Sequence, residues 1–178
     1  NTLFLFEERP TKNNGTLKSF GNAKKIYSTP KVVKKLQEDN DNTVDYKFTV
    51  RSRLFDMVLG DWDRHDDQWR WSSFKEGKGK MFRPIPRDRD QVFFINEGYL
   101  MKIAARKWIM PKFEGFNEEI RWEEGFNFNA RYFDRYFLTQ ASKEDWINEA
   151  KYIQKHLTDE EIQNAIQAVF KDQLEEVN

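Results

Sequence analysis

The 178-residue sequence has no cysteine, which excludes disulfides, thiolate catalysis and cysteine metal sites. It has only two histidines, His65 and His156, so a zinc centre would need carboxylates for its remaining ligands. Neither sign of charge is in excess, since 30 basic and 30 acidic side chains give a formal net charge of zero. A general nucleic-acid or anionic-membrane surface needs a basic excess, so only a local basic patch stays open. No run approaches the roughly 20 apolar residues of a membrane span. The start, Asn1-Thr2-Leu3-Phe4-Leu5-Phe6, is not a signal peptide and has no initiator Met. It reads as the cut end of a longer protein.

What the chain does have is charge and aromatic bulk. Charged residues make up 34% and aromatics 16%, with sixteen Phe, six Trp and six Tyr to build a core. The length fits one well-cored domain spanning residues 1–178.

One stretch stands apart. Gly60-Asp61-Trp62-Asp63-Arg64-His65-Asp66-Asp67-Gln68-Trp69 holds four carboxylates, an arginine, a histidine and two tryptophans. About twenty residues on, after Pro84-Ile85-Pro86, comes Arg87-Asp88-Arg89-Asp90. A solvated charge run does not normally carry two Trp, and a core strand does not carry so many Asp. Carboxylates among aromatics predict a lined pocket, and hard oxygen ligands favour magnesium, manganese or calcium over zinc.

Local patterns place this stretch. Leu3-Phe4-Leu5-Phe6 before Pro10 predicts a short strand, and Lys12 to Asn22 a loop with turn residues. Ser28-Thr29-Pro30 opens a helix to about Glu38. Asp39-Asn40-Asp41-Asn42 lacks the Gly and distal Glu of a calcium loop and reads as a polar connector. A helix capped by Asn42 or Thr43 is expected from Val44 to Leu59, with Phe48, Arg51, Phe55 and Leu59 at spacings of three and four and Val50, Leu54 and Val58 as an adjoining stripe of its broad apolar face. Gly60 ends it. Asp67 to Phe74 alternates as in a strand, with Trp69 and Trp71 on one side and Arg70 and Ser72 on the other, and Lys75 to Lys80 reads as a flexible hairpin connection to a return strand from Met81 to Pro86. Such a hairpin would carry Asp88 back toward Asp63.

Residues 93–108 are expected to become helical toward their end, and 113–128 to be packed but irregular. Asn127, Asn129 and Arg131 read as a capped helix start. Residues 142–178 form a helical tail, with capping signals at Ser142 and Thr158. Ile162, Ile166, Val169 and Phe170 supply its second apolar stripe.

The combination Gly60-Asp61-Trp62-Asp63-Arg64-His65, then Gln68 and Asp88, resembles an atypical-kinase signature. That signature is shared by CotH, HipA-type and type II phosphatidylinositol kinases. Closer still, Arg53-Leu54-Phe55-Asp56, Trp69-Arg70-Trp71 and the run from Arg83 to Asp90 resemble the kinase-like region of Bacteroidetes envelope proteins. Those proteins carry a metallophosphoesterase domain, a BamA-like barrel, or both.

The resemblance implies a mainly helical α+β domain like the C-terminal lobe of an atypical kinase, with a short β-hairpin at the acidic site. Residues 1–10 would be a hinge-like strand to an N-terminal lobe. Asp63 would be the catalytic base, and Asp61, Arg64 and His65 would be cofactor-binding. Asp88, Gln68 and Asp90 would bind magnesium or manganese beside ATP. Two positions depart from the pattern, Gln68 and Asp61 each standing where the family has Asn.

The phosphate-binding lysine and lid belong to the other lobe, so this segment alone is expected to be an inactive phosphotransferase. The alternative is a pseudokinase scaffold or interaction module of a bacterial envelope protein. A metal-dependent hydrolase using the same aspartates is a third reading. Expected partners are an acceptor of unidentified class and other domains of the same chain, without nucleic acid or a membrane span. The resemblance implies the periplasmic side of the envelope.

Overall fold

The computed structural model of the chain describes residues 19–23, 25–113 and 115–175. The expected strand at residues 3–8 lies outside them. In chain order the elements are β1 Ile26–Ser28, α1 Thr29–Glu38, β2 Thr43–Val44, α2 Tyr46–Val58, β3 Trp69–Glu76, β4 Gly79–Pro86, α3 Tyr99–Ala104, α4 Glu123–Phe126, α5 Arg131–Phe137, α6 Lys143–His156 and α7 Asp159–Glu175. About half of the described residues are helical, and the strands form one four-stranded mixed sheet, so the class is α+β.

The sheet grows from the Trp-rich hairpin. β3 and β4 pair antiparallel from Trp69↔Pro86 to Glu76↔Gly79, closed by a two-residue turn with Gly77 at φ 53°, so the connection expected over residues 75–80 is mostly paired strand. β1 adds antiparallel beside β3 and β2 adds parallel beside β4, giving the order β1-β3-β4-β2. Gly79 is required by a close approach: a Cβ there would lie 1.8 Å from the Asp41 carbonyl oxygen. This contact seats the polar connector, whose Asn42 donates to the Lys35 carbonyl and accepts from the Lys80 amide.

Period-two alternation puts both indoles of β3 on one face, where Trp69 and Trp71 are fully buried. Trp69 stacks on Phe133 of α5 with centroids 4.3 Å apart, and Trp71 meets Phe137 at 4.5 Å. Val32 of α1 and Phe82 of β4 complete this core. Its aromatic contacts fix α5 against the sheet, and α5 in turn carries groups to the acidic loop.

Two expectations for α2 are corrected. Residues 43–44 pair with Met81 and Phe82 as a strand, so the helix begins at Tyr46 rather than Val44. Its cap is Asp45, neither Asn42 nor Thr43, because Asp45 accepts from the Phe48 amide while also pairing with Arg83 at 2.9 Å. The inward face is Thr49, Val50, Ser52, Arg53 and Asp56, and Val58 is exposed. Apolar periodicity missed this face because its charged members are neutralised inside the fold.

α6 packs against α2, starting from the expected capping box of Ser142 and Asp145. Arg51 joins the two helices, 2.6 Å from buried Glu149 and stacked over Tyr152. In the tail helix Thr158 caps the Glu161 amide as expected, but Ile162 and Ile166 are exposed rather than packed. The helix expected toward Trp108 stops at Ala104.

Candidate functional site

The acidic loop begins where α2 is stopped. Gly60, at φ 69°, sends its amide to the Met57 carbonyl, and the Asp61 amide reaches back to the Asp56 carbonyl at 2.8 Å. This is a Schellman arrangement, and a Cβ on Gly60 would press to 2.9 Å from the Phe116 ring. The tight reversal turns Asp61 under the end of the helix, beside Asp56.

Both carboxylates and Arg64 are 0% exposed. Asp56 lies 2.9 Å from Arg53, 3.3 Å from Arg64 and 2.7 Å from Arg89. Asp61 lies 3.4 Å from Arg64 and 3.7 Å from Arg89, yet neither of its oxygens has an aligned hydrogen-bond donor. Burial therefore dominates, and although Arg64 opposes it, the Asp61 carboxyl is pushed up to about 6. Arg53 continues the network outward, bonding Asp134 of α5 at 2.8 Å and the Asn127 side-chain oxygen at 2.8 Å.

Arg64 also ties two loops together. Its guanidinium donates to the Arg87 carbonyl at 2.6 Å and to the Gln68 carbonyl at 3.2 Å, and stacks over Trp69. The Arg87 amide donates to the same Gln68 carbonyl at 2.8 Å. Farther along, the Phe93 amide donates to the Leu59 carbonyl at 3.0 Å. The loop bearing Asp63 and the loop bearing Asp88 are thus cross-linked at several points.

Above this base stand the remaining candidates. Asp63 is half-buried, and its Oδ1 accepts from Asn129 Nδ2 at 2.6 Å. Asp88 and Asp90 are exposed, and Asp88 holds φ 53°, a left-handed conformation that Asp tolerates better than most residues. Asp90 accepts from Gln91. His65 is exposed and Gln68 is buried, with Gln68 Nε2 3.3 Å from His65 Nε2. The His65 Nδ1 accepts from the Asp67 amide at 3.3 Å, which leaves the imidazole proton on Nε2 in the neutral ring. A Gln68 carboxamide turned to present its oxygen would then receive that proton's hydrogen bond.

Of the three residues expected to touch a cofactor, only His65 presents its side chain to solvent; Asp61 and Arg64 face each other in the interior. Among the described residues no group of three or more His, Cys, Asp or Glu is gathered as a metal ion would need. The capped helix start read at 127–131 is corrected as well. α5 has Ala130 at its N-cap without a side-chain bond, while Asn127 serves Arg53 and Asn129 serves Asp63. The sequence signal that could have exposed the network was Arg53 and Asp56 at i,i+3 on a helix otherwise read as apolar.

No family model matches the chain, and no curated protein or solved structure is significantly similar to it.

Proposed function

We propose that the chain is a kinase-like phosphotransferase lobe in which Asp63 receives the proton of a hydroxyl acceptor. The observation that carries this reading is the buried network of Asp56, Asp61, Arg64 and Arg89 beneath the two acidic loops. Buried ion pairs are seldom better for stability than apolar packing, so their use here speaks for placing Asp63 and Asp88. Asn129 fixes one oxygen of Asp63, leaving the other to take a proton.

The described residues do not form a metal site by themselves. The reading therefore assigns Asp88, with Asp90 two residues on and Gln68, whose carbonyl accepts from the Arg87 amide, to a magnesium or manganese ion that arrives on nucleotide phosphates. Magnesium is commonly held in this way, by one or two carboxylates plus the phosphates. ATP is the donor in this reading, and the envelope setting rests on the sequence resemblance alone.

Calorimetric titration of magnesium and manganese, with and without ATP, into a longer chain carrying the N-terminal lobe that the resemblance implies tests this. The expected result is no saturable uptake of the metal alone, but saturable uptake of metal with ATP. Asp88→Asn, which keeps the left-handed backbone tolerable while removing the charge, should abolish it. Absence of binding with every ion would overturn the enzyme reading.

A pseudokinase or interaction module is the second reading, favoured by the exposure of Tyr99, Leu100 and Trp108. It expects Asp63→Ala to leave partner binding intact, and changes at those side chains to disturb it.

A further inference from the structure

The balanced net charge of the chain conceals a local imbalance. From Gly98 to Lys112 the sequence has Lys102, Arg106, Lys107 and Lys112 and no acidic residue. The fold folds this segment into a wall of a cavity of about 740 Å³, where Lys102, Arg106, Lys107 and Arg121 meet Trp108 and Trp122. No Asp or Glu among the described residues lines it. Among the described residues, Lys102, Arg106 and Lys107 enter no ion pair, and Lys107 instead lies 4.8 Å above the Trp122 ring. Glu118 and Glu119 share an adjoining cleft with Arg121 and temper that one cation, not the other three.

Most of the large apolar side chains of the same segment are exposed, Met101 and Ile103 being half-buried. Tyr99 and Leu100 are each 80% exposed and Trp108 is 75% exposed, while Ile109 and Met110 are partly so. The segment is pinned at its base, where Asn96 Nδ2 donates to the Phe113 carbonyl at 2.6 Å. Cations around a cavity of mixed polar and apolar lining, rimmed by exposed aromatic and aliphatic side chains, match the chemistry of a lipid interface. An acidic protein partner fits less well, because lysine is depleted from protein interfaces.

We propose that the face formed by residues 98–112 docks on an anionic phospholipid surface, the cavity taking a phosphate headgroup while Tyr99, Leu100 and Trp108 enter the interfacial layer. The protein then lies on a membrane, which is compatible with its described helices being unable to cross one. The proposal is independent of the phosphotransferase reading.

Co-sedimentation with lipid vesicles tests it. Vesicles of phosphatidylcholine mixed with phosphatidylglycerol should recruit the protein at low salt, and phosphatidylcholine alone should not. Losing the two charges of Arg106→Gln with Lys107→Gln should weaken recruitment by about 25-fold, taking about fivefold per basic residue. Leu100→Ser should weaken it at unchanged charge, whereas Lys75→Gln with Lys78→Gln in the hairpin turn should leave it nearly unchanged. All these positions are on the surface, and matching thermal melts would show that the variants are folded. Failure of anionic vesicles to recruit the protein at low salt would overturn the proposal. So would equal loss from the hairpin variant, which would reduce the effect to diffuse attraction. Tight uptake of free glycerol phosphate without vesicle recruitment would assign the cavity to a soluble ligand and equally overturn it.

Discussion

Asn129 Nδ2 lies 2.6 Å from Asp63 Oδ1, across 66 residues of sequence. One comes from the turn before α5, the other from the acidic loop after α2. The bond places Asp63 by the docking of α5 on the tryptophan face of the sheet, rather than by its own loop alone. Removing the donor in Asn129→Ala should lower the free energy of unfolding by about 1 kcal/mol. If the proposed role of Asp63 holds, turnover of a longer chain carrying the N-terminal lobe that the resemblance implies should fall by more than this loss of stability explains. Denaturant titration beside a kinetic assay separates the two.

The position of α5 depends on Phe133, stacked on Trp69 and close to Trp71. Phe133→Ala should destabilise the fold by about 3–5 kcal/mol, the usual range for a buried aromatic. Thermal melting followed by near-ultraviolet circular dichroism would report it, because the tryptophan environment changes with the same event. A loss under 1 kcal/mol would mean that the stack adds little to holding α5.

Asp56 is the shared anion of Arg53, Arg64 and Arg89. Asp56→Ala leaves those guanidinium groups facing one another around buried Asp61, and should cost about 3–5 kcal/mol. Guanidinium chloride unfolding measures the loss. A milder effect would show that Asp61 can take over as counter-ion.

Asp61 supplies a pH dependence whose sign is unusual for a carboxylate. Its pKa rises from 3.8 to about 6 in the folded chain, chiefly through burial. The native state therefore holds the proton more tightly than the unfolded state. This contribution is fully present below about pH 4 and is lost as pH rises through 6, and its size is on the order of 3 kcal/mol. Half-buried Asp145, whose carboxyl is held low by its bonds to Ser142, works in the opposite direction. The informative quantity is thus the difference between wild type and Asp61→Asn. The variant should lose the extra acid-side stability in urea titrations at pH 4.5 and 7, and equal slopes would assign the dependence elsewhere.

The stretch from Gly60 to Trp69 and the run from Arg87 to Asp90 were visible as exceptional in composition alone, and the hairpin between them followed from alternation and a glycine turn. Period-two burial is a local property, so Trp69 and Trp71 could be assigned to one face without knowledge of their partners. The end of α2 at Gly60 was equally legible, because a left-handed residue there is a backbone requirement. Roles were less legible than places. Asp61 and Arg64, assigned to a cofactor by the resemblance, lie in the interior.

By itself, then, the sequence determined the helix stops, the hairpin and its tryptophan face, and the clustering of acid near aromatic residues, all of which arise from interactions within a few residues. Tertiary structure decided which carboxylates are buried with arginines and which stay at the surface, because neutralising Asp56 requires Arg53, Arg64 and Arg89 from three separate segments. It also decided the partner of Asp63, and gathered Arg121 with the basic segment around one cavity in a chain of zero net charge. Electrostatic energies depend on distance and burial in space, and neither is fixed by distance along the chain.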